Sequence, residues 1–163
     1  MQTIAIFGAG PGLGRAVARR FGREGFRAAL VARDRDRLDS MVGELAGEGV
    51  EAAGFPADLT DREAALRAVD AIGARFGPVD VLEYSPTPGE RLRADASELD
   101  VAAVARLLEL YVLTPVALVG RVLPGMLERG DGGLLVRDGG RRQVPDAAPR
   151  RRNGPVEPAQ LCA

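Results

Sequence analysis

The stretch TIAIFGAGPGLGRAV, residues 3–17, constrains the fold more than any other. Thr3–Phe7 is a short apolar run that stops at a cluster of glycines, as a buried parallel strand does. The residues after the cluster, RAVARRFGREG, place Ala16, Val17 and Phe21 on one helical face. A strand, a tight glycine turn and a helix in that order open a strand–helix–strand unit. Such a unit requires a parallel neighbour strand.

The rest of the chain repeats the alternation. FRAALVAR reads as a second strand and DRDRLDSMVGELAGEG as a helix. In that helix Leu38, Met41, Val42 and Leu45 fall at i, i+3, i+4 and i+7, and Gly47 and Gly49 end it. VEAAGFPAD is a weaker third strand. Thr60 or Asp61 caps the next helix, whose stripe is Ala65, Leu66, Val69 and Ile72. VDVLEY is a fourth strand and SPTPGERLRADAS a loop. Ser97 is a cap for a long helical stretch with Val101, Val104, Leu107, Leu108 and Tyr111 as its stripe. That stretch is disturbed at Pro115 and stopped near Gly130–Gly133; Leu134–Val136 then form a fifth strand. Strands alternating with helices, joined by right-handed crossovers, give a parallel sheet with helices on both faces.

Composition excludes several chemistries. The chain has 163 residues, enough for one domain, with 46% hydrophobic and 28% charged residues. A net charge of −1 gives no reason to expect nucleic acid or an anionic membrane as partner. No uninterrupted apolar run reaches the ~18 residues of a membrane span, and MQTIAIFG lacks the basic and apolar regions of a signal peptide. A single cysteine, Cys162, permits no internal disulfide. These features point to a cytoplasmic protein. There is no His, so neither an imidazole base nor a His metal ligand is present, and no metal site is expected. All 22 basic residues are Arg. With no Lys there is no Schiff base and no ammonium to lower a neighbouring pKa.

The glycine turn carries the strongest chemical signal. Glycines between a strand and a helix let the backbone approach a pyrophosphate, which rests on the free N–H groups and dipole of the helix N-terminus. Gly8, Gly12 and Gly14 satisfy the spacing G-x-x-x-G-x-G, whereas G-x-G-x-x-G fails from Gly8 at Leu13 and from Gly10 at Arg15. At the end of the second strand an acid would accept from a ribose 2′-OH, and an Arg would pair with a 2′-phosphate. Here Ala32 stands where the acid is expected and Arg33 follows, with Arg35 close by and Arg15 as a second possible cation.

That spacing resembles the short-chain dehydrogenase/reductase family. The likeness runs from about Met1 to Val136, with PADLTD, VDVLEYSPT, VLPGML and GDGGLLV in the family's order. The resemblance implies a Rossmann-like, doubly wound parallel sheet, here incomplete at about five strands, over residues 1–136. It implies NADP as cofactor rather than NAD. The expected contacts are Gly8, Gly10, Pro11, Gly12, Leu13, Gly14 and Arg15 of the turn, Arg33, Asp58 and Leu59, and Tyr84 and Ser85 where the family has N-N-A-G. It also implies a small-molecule carbonyl substrate for the full-length family, and it is compatible with a homo-oligomer.

The family's catalytic constellation is missing. It uses a Tyr followed four residues later by a Lys, a Ser after the fifth strand, and an Asn on the long helix. Here both tyrosines are followed by Pro and Thr, the Asn position reads Tyr111, and no Lys exists. No residue is therefore assigned a catalytic role, and an inactive oxidoreductase relative is expected. A non-catalytic NADP-binding or sensor protein is the alternative. Residues 137–163 form an Arg/Pro-rich segment expected to be disordered. It reads either as a change of frame after Val136, which would make the product nonfunctional, or as a short protein's own basic tail.

Overall fold

The computed structural model describes residues 1–87 and 100–137. Five strands, β1 (Thr3–Phe7), β2 (Arg27–Ala32), β3 (Ala52–Pro56), β4 (Val81–Tyr84) and β5 (Gly133–Val136), form one sheet in the order β3-β2-β1-β4-β5. Every pair is parallel. The sequence order reverses at β1, so the C-terminal ends of β1 and β4 diverge there and leave a crevice.

Helices cover both faces. On one face α1 (Leu13–Arg23) and α2 (Arg35–Gly47) bury Ala18, Leu38, Met41 and Leu45 against Ile4, Ile6, Ala28 and Leu30. On the other, α3 (Arg62–Phe76) and α5 (Thr114–Arg129) bury Ala65, Val69, Ile72, Leu118, Val122 and Met126 against Ala5, Phe7, Val31 and Leu82. β1 is buried at all five positions. This explains its unbroken apolar sequence: a central parallel strand has no solvent face. The expected elements are therefore all present, with the doubly wound order.

Two helical faces differ from the sequence expectation. On α1 the buried positions are Gly14 and Ala18, with Val17 and Phe21 partly buried, while Ala16 is exposed. The close approach is to the turn, where a Cβ on Gly14 would meet Ala9 Cα at 2.8 Å. The long helical stretch is α4 (Val101–Leu108), a π turn (Glu109–Leu113) and α5. Its expected stripe is largely outside the core: Val101 is 87% exposed, and Val104 and Leu108 are also exposed. The buried positions are instead Leu110, Thr114, Pro115, Leu118, Val122 and Met126. A π turn adds a residue per turn and rotates everything after it, so a single 3.6-residue phase does not describe both halves. Pro115 begins a new α segment rather than ending the helix. By length and composition Val101–Arg129 is apolar enough to cross a membrane, with an 18-residue window of mean hydropathy 1.7. Here its inner face packs on the sheet.

Aspartates cap α2, α3 and α4. Asp34 accepts from Arg37 N at 3.1 Å, Asp61 from Ala64 N at 3.0 Å, and Asp100 from Ala103 N at 2.6 Å. Of the two candidates before α3, Asp61 is the cap. Ser97, and residues 138–163 of the tail, lie outside the described residues.

Candidate functional site

The crevice at the C-terminal ends of the strands is a cleft of about 200 Å³. Its floor is Gly8–Pro11. One wall is Ala32 and Arg33 from the end of β2, with Arg37 from the first turn of α2. Asp58, Leu59 and Thr60 follow β3, Pro86 and Thr87 follow β4, and Leu110 comes from the π turn.

The glycines of the turn divide into two kinds. Gly8 has φ +97°, and a Cβ there would stand 2.7 Å from Pro86 Cα. Its amide and that of Ala9 both donate to Val31 O, at 2.9 and 3.0 Å. A Cβ on Gly14 would meet Ala9 Cα at 2.8 Å. These two glycines let backbone pack on backbone. Gly10 and Gly12 are different: a Cβ on Gly12 would meet nothing within 4 Å, and one on Gly10 only Gly8 O at 4.0 Å. Gly12 is also the N-cap of α1 and supplies no side-chain cap, and the first turn carries no acid. The α1 N-terminus therefore presents free N–H donors and the positive end of its dipole next to the cleft.

The cleft's charges sit on one wall. Arg33 is exposed and makes no ion pair among the described residues. Arg37 approaches Asp34 at 3.7 Å, an exposed and weak pair. Asp58 is held by its own loop, accepting from Thr60 N at 2.9 Å and Thr60 Oγ1 at 2.8 Å. Leu59 is buried, and its carbonyl accepts from Thr114 Oγ1 at 3.0 Å. This bond ties the β3 exit to the start of α5.

Of the residues singled out in the sequence, Gly8, Gly10, Pro11, Arg33, Asp58 and Leu59 line the cleft together. Gly12, Leu13, Gly14 and Arg15 form the α1 start beside it. Arg15 is engaged elsewhere: its guanidinium donates to Glu44 of α2 at 2.5 Å. That pair is exposed, and Arg37 is the second cation lining the cleft beside Arg33. Arg37 is the third residue of α2, so its place beside Arg33 depends on where that helix starts.

The Tyr84 side chain does not face the cleft. It is 1% exposed, packed in the α3/α5 core, and its hydroxyl donates to Leu110 O in the π turn. Burial, with Tyr111 and the Glu109 carboxylate nearby, pushes its pKa far above the usual phenol value. Strand alternation explains the placement: Leu82 and Tyr84 share the face that α3 and α5 cover. Ser85 points the other way, as does Glu83, which is buried at 4% exposure. Burial raises the Glu83 pKa, and the nearby Ser85 hydroxyl and Arg137 oppose that rise. Among the described residues, neither Glu83 Oε2 nor Ser85 Oγ has a partner in hydrogen-bond geometry. The sequence signal for this buried carboxyl is VLEY, an acid inside an apolar run.

Comparison with known proteins places this geometry. The short chain dehydrogenase family matches residues 2–137. A fatty acyl-CoA reductase of Mycobacterium tuberculosis, Rv0547c, is 33% identical over 134 residues, covering 82% of this chain and 46% of that protein. L-sorbose reductase of Gluconobacter frateurii, solved with NADPH and L-sorbose, superposes with a TM-score of 0.75 at 29% identity, over 83% of this chain and 51% of that one. A metagenomic short-chain oxidoreductase solved with NADP gives a TM-score of 0.75 at 27% identity, over 83% and 61%. The chain thus spans about half the length of the curated relatives it matches. With the family's glycine turn, strand order and crevice all in place, the chain belongs to the short-chain dehydrogenase family.

Proposed function

We propose that this chain holds NADP(H) in the cleft, as the cofactor-binding portion of a carbonyl-reducing oxidoreductase. The observation that carries the reading is the open space above Gly10 and Gly12 at the uncapped start of α1. A pyrophosphate fits there, because no side chain caps the start of α1 and a Cβ on Gly12 would meet nothing within 4 Å. Arg33, exposed at the end of β2 where an acid would select NAD, takes the 2′-phosphate. Asp58 and Leu59 border the adenine side. Two structural relatives solved with NADPH or NADP support the choice of cofactor. Residues 1–136 form the binding domain, which acts in the cytoplasm.

When bound, the cofactor supplies hydride to a carbonyl. The chain's own part is to bind and orient it. No described residue is suited to deliver the accompanying proton, since Tyr84 is buried and bonded to Leu110 O and the sequence has no Lys. The 163-residue chain is therefore a binder without appreciable turnover.

Titration calorimetry with NADP and NAD tests the assignment. The wild type should prefer NADP, and Arg33→Ala should remove that preference. A lost charge-assisted pair is worth about 1.5–3 kcal/mol, roughly ten- to a hundredfold in affinity. Equal affinity of the wild type for both cofactors would overturn the reading.

A further inference from the structure

Thr114, the first residue of α5, is fully buried. A threonine inside a helix ordinarily turns its hydroxyl back to the carbonyl four residues earlier. Here that carbonyl, Leu110 O, accepts from the Tyr84 hydroxyl. The Thr114 hydroxyl donates instead to Leu59 O at 3.0 Å, 55 residues away in sequence. The π turn sets this up. Thr114 N–H donates to Glu109 O, five residues back, and the extra residue in the turn rotates Thr114 toward the β3 exit.

Leu59 sits in the middle of the loop that joins β3 to α3, and with Asp58 and Thr60 it lines the cleft. The two ends of this loop are held by the fold. Ala57 N donates to Ala32 O at 2.9 Å, and Asp61 caps α3. In the middle, Asp58 bonds to Thr60 of the same loop. No backbone N–H among the described residues donates to Leu59 O. The Thr114 hydroxyl is therefore the hydrogen bond that ties the centre of the loop to another element. The same hydroxyl has a second acceptor within reach. Glu109 Oε1 lies 3.2 Å from Thr114 Oγ1, and Arg62 Nε stands 3.7 Å from that carboxylate oxygen. A hydroxyl carries one proton, so Leu59 O and the Glu109 carboxylate compete for it. The shorter contact is to Leu59 O.

We propose that Thr114 is a positioning residue for the adenosine half of the cofactor. Its proton on Leu59 O holds Asp58, Leu59 and Thr60 at the adenine side of the cleft, and Glu109 opposes this as the competing acceptor. This assignment rests on the reading of the cleft as an NADP site. The pyrophosphate seat is independent of it. That seat comes from β1, the glycine turn and α1, and its described backbone hydrogen bonds run to Val31 O and within the turn, not to Thr114 or to residues 57–61. Loss of the Thr114 hydroxyl should thus weaken the adenosine end alone.

Titration calorimetry of the full 163-residue chain with two probes tests this. Adenosine 2′,5′-bisphosphate needs the loop; inorganic pyrophosphate needs the glycine turn and the arginines but not the loop. Thr114→Val should weaken the bisphosphate roughly fivefold and leave pyrophosphate unchanged, and Thr114→Ser should restore the wild-type value. Glu109→Gln should tighten the bisphosphate relative to pyrophosphate, because its amide can donate to Thr114 Oγ1 and leave the hydroxyl proton to Leu59 O. Should Thr114→Val not fold, Glu109→Gln decides: a bisphosphate affinity that is unchanged or weaker overturns the proposal. An equal loss for both probes in Thr114→Val also overturns it, since Thr114 would then support the fold and not the loop. Bisphosphate affinity that is the same in wild type and Thr114→Val overturns the role of Thr114 while leaving the cofactor assignment standing. A wild type that binds neither the bisphosphate nor NADP overturns both.

Discussion

At the scale of single residues, the turn shows how one residue type serves two purposes. Gly14 is required by packing, since a Cβ would overlap Ala9 Cα at 2.8 Å with backbone that has nowhere to go. Gly14→Ala should cost about 1–3 kcal/mol of stability, read as a lowered urea midpoint. Gly12→Ala meets open space and should leave the core intact, with at most the small cost of a poorer N-cap. Its effect should appear in NADP affinity, because the methyl group enters the space assigned to the pyrophosphate. The reverse pattern, Gly12→Ala unfolding the protein and Gly14→Ala only weakening binding, would refute this division. The sequence shows the three glycines and their spacing but not this distinction, which depends on what approaches from β4 and the turn itself. Glu83 is the other residue with a readable consequence. Burial raises its pKa above the ordinary carboxylate value of 4.5. The folded state then binds this proton more tightly than the unfolded chain does. Its unfavourable contribution is absent below that ordinary value, grows as pH rises through it, and levels off above the raised folded pKa. Glu83→Gln should therefore be more stable than wild type at neutral pH, with the difference shrinking as pH falls toward 4. Urea denaturation of both proteins between pH 4 and 8 reads this directly, and a pH-independent difference would contradict it.

At the scale of elements, β4 and the π turn depend on each other. The Tyr84 hydroxyl reaches the Leu110 carbonyl, and Leu110 forms a wall of the cleft. A π turn leaves carbonyls without their usual i+4 partners, and a buried side-chain donor satisfies one of them. Tyr84→Phe should cost about 1–3 kcal/mol, because the carbonyl stays buried after its donor is removed. The phenyl ring still fills the core, so NADP affinity should change by less than about threefold in the same calorimetric titration. A large loss of affinity with unchanged stability would instead indicate that the hydroxyl touches the cofactor. The strands are legible because a central parallel strand is apolar without interruption, and α2 and α3 because each has a single amphipathic phase. The long helix was misread for a physical reason. Its sequence holds two phases separated by the turn at Glu109–Leu113, and the apolar side chains of Val101, Val104 and Leu108 lie away from the core that periodicity assigns them to. Position in the family's N-N-A-G segment suggested cofactor contact for Tyr84, but alternation along β4 sends its side chain into the core.

For the whole molecule, the question is what a bound cofactor finds around its reactive end. The floor, the cationic wall and the β3 exit of the cleft come from the first 60 residues, with Gly8–Pro11, Arg33, Asp58 and Leu59 among their lining. The side toward β4 and the long helix supplies Pro86, Thr87 and Leu110. Hydride transfer belongs to the cofactor itself, so a carbonyl held close enough could in principle receive it. The proton that must follow has no suitable source among the described residues. Tyr84 holds its proton more tightly than an ordinary phenol and spends it on Leu110 O. Glu83 lies on the opposite face of the sheet from Tyr84 and is shielded from solvent. No Lys exists to lower the pKa of a phenol or to hold a ribose. Loss of general acid catalysis alone removes about 10²–10⁴-fold in rate, and unpositioned substrate removes more. The expectation is that the 163-residue chain binds NADPH yet oxidises it no faster than buffer does with quinones, diketones or aldehydes, followed at the nicotinamide absorbance. Binding and turnover are thereby separable: saturable binding with a flat absorbance trace is the predicted pair of results. Robust turnover would mean that a cleft hydroxyl serves as the donor. Thr60 and Thr87 are the only hydroxyl side chains among the described lining residues, and Thr60 is already bonded to Asp58. Thr87→Val would then be the first variant to lose activity, since Thr87 follows β4, lines the cleft and is exposed.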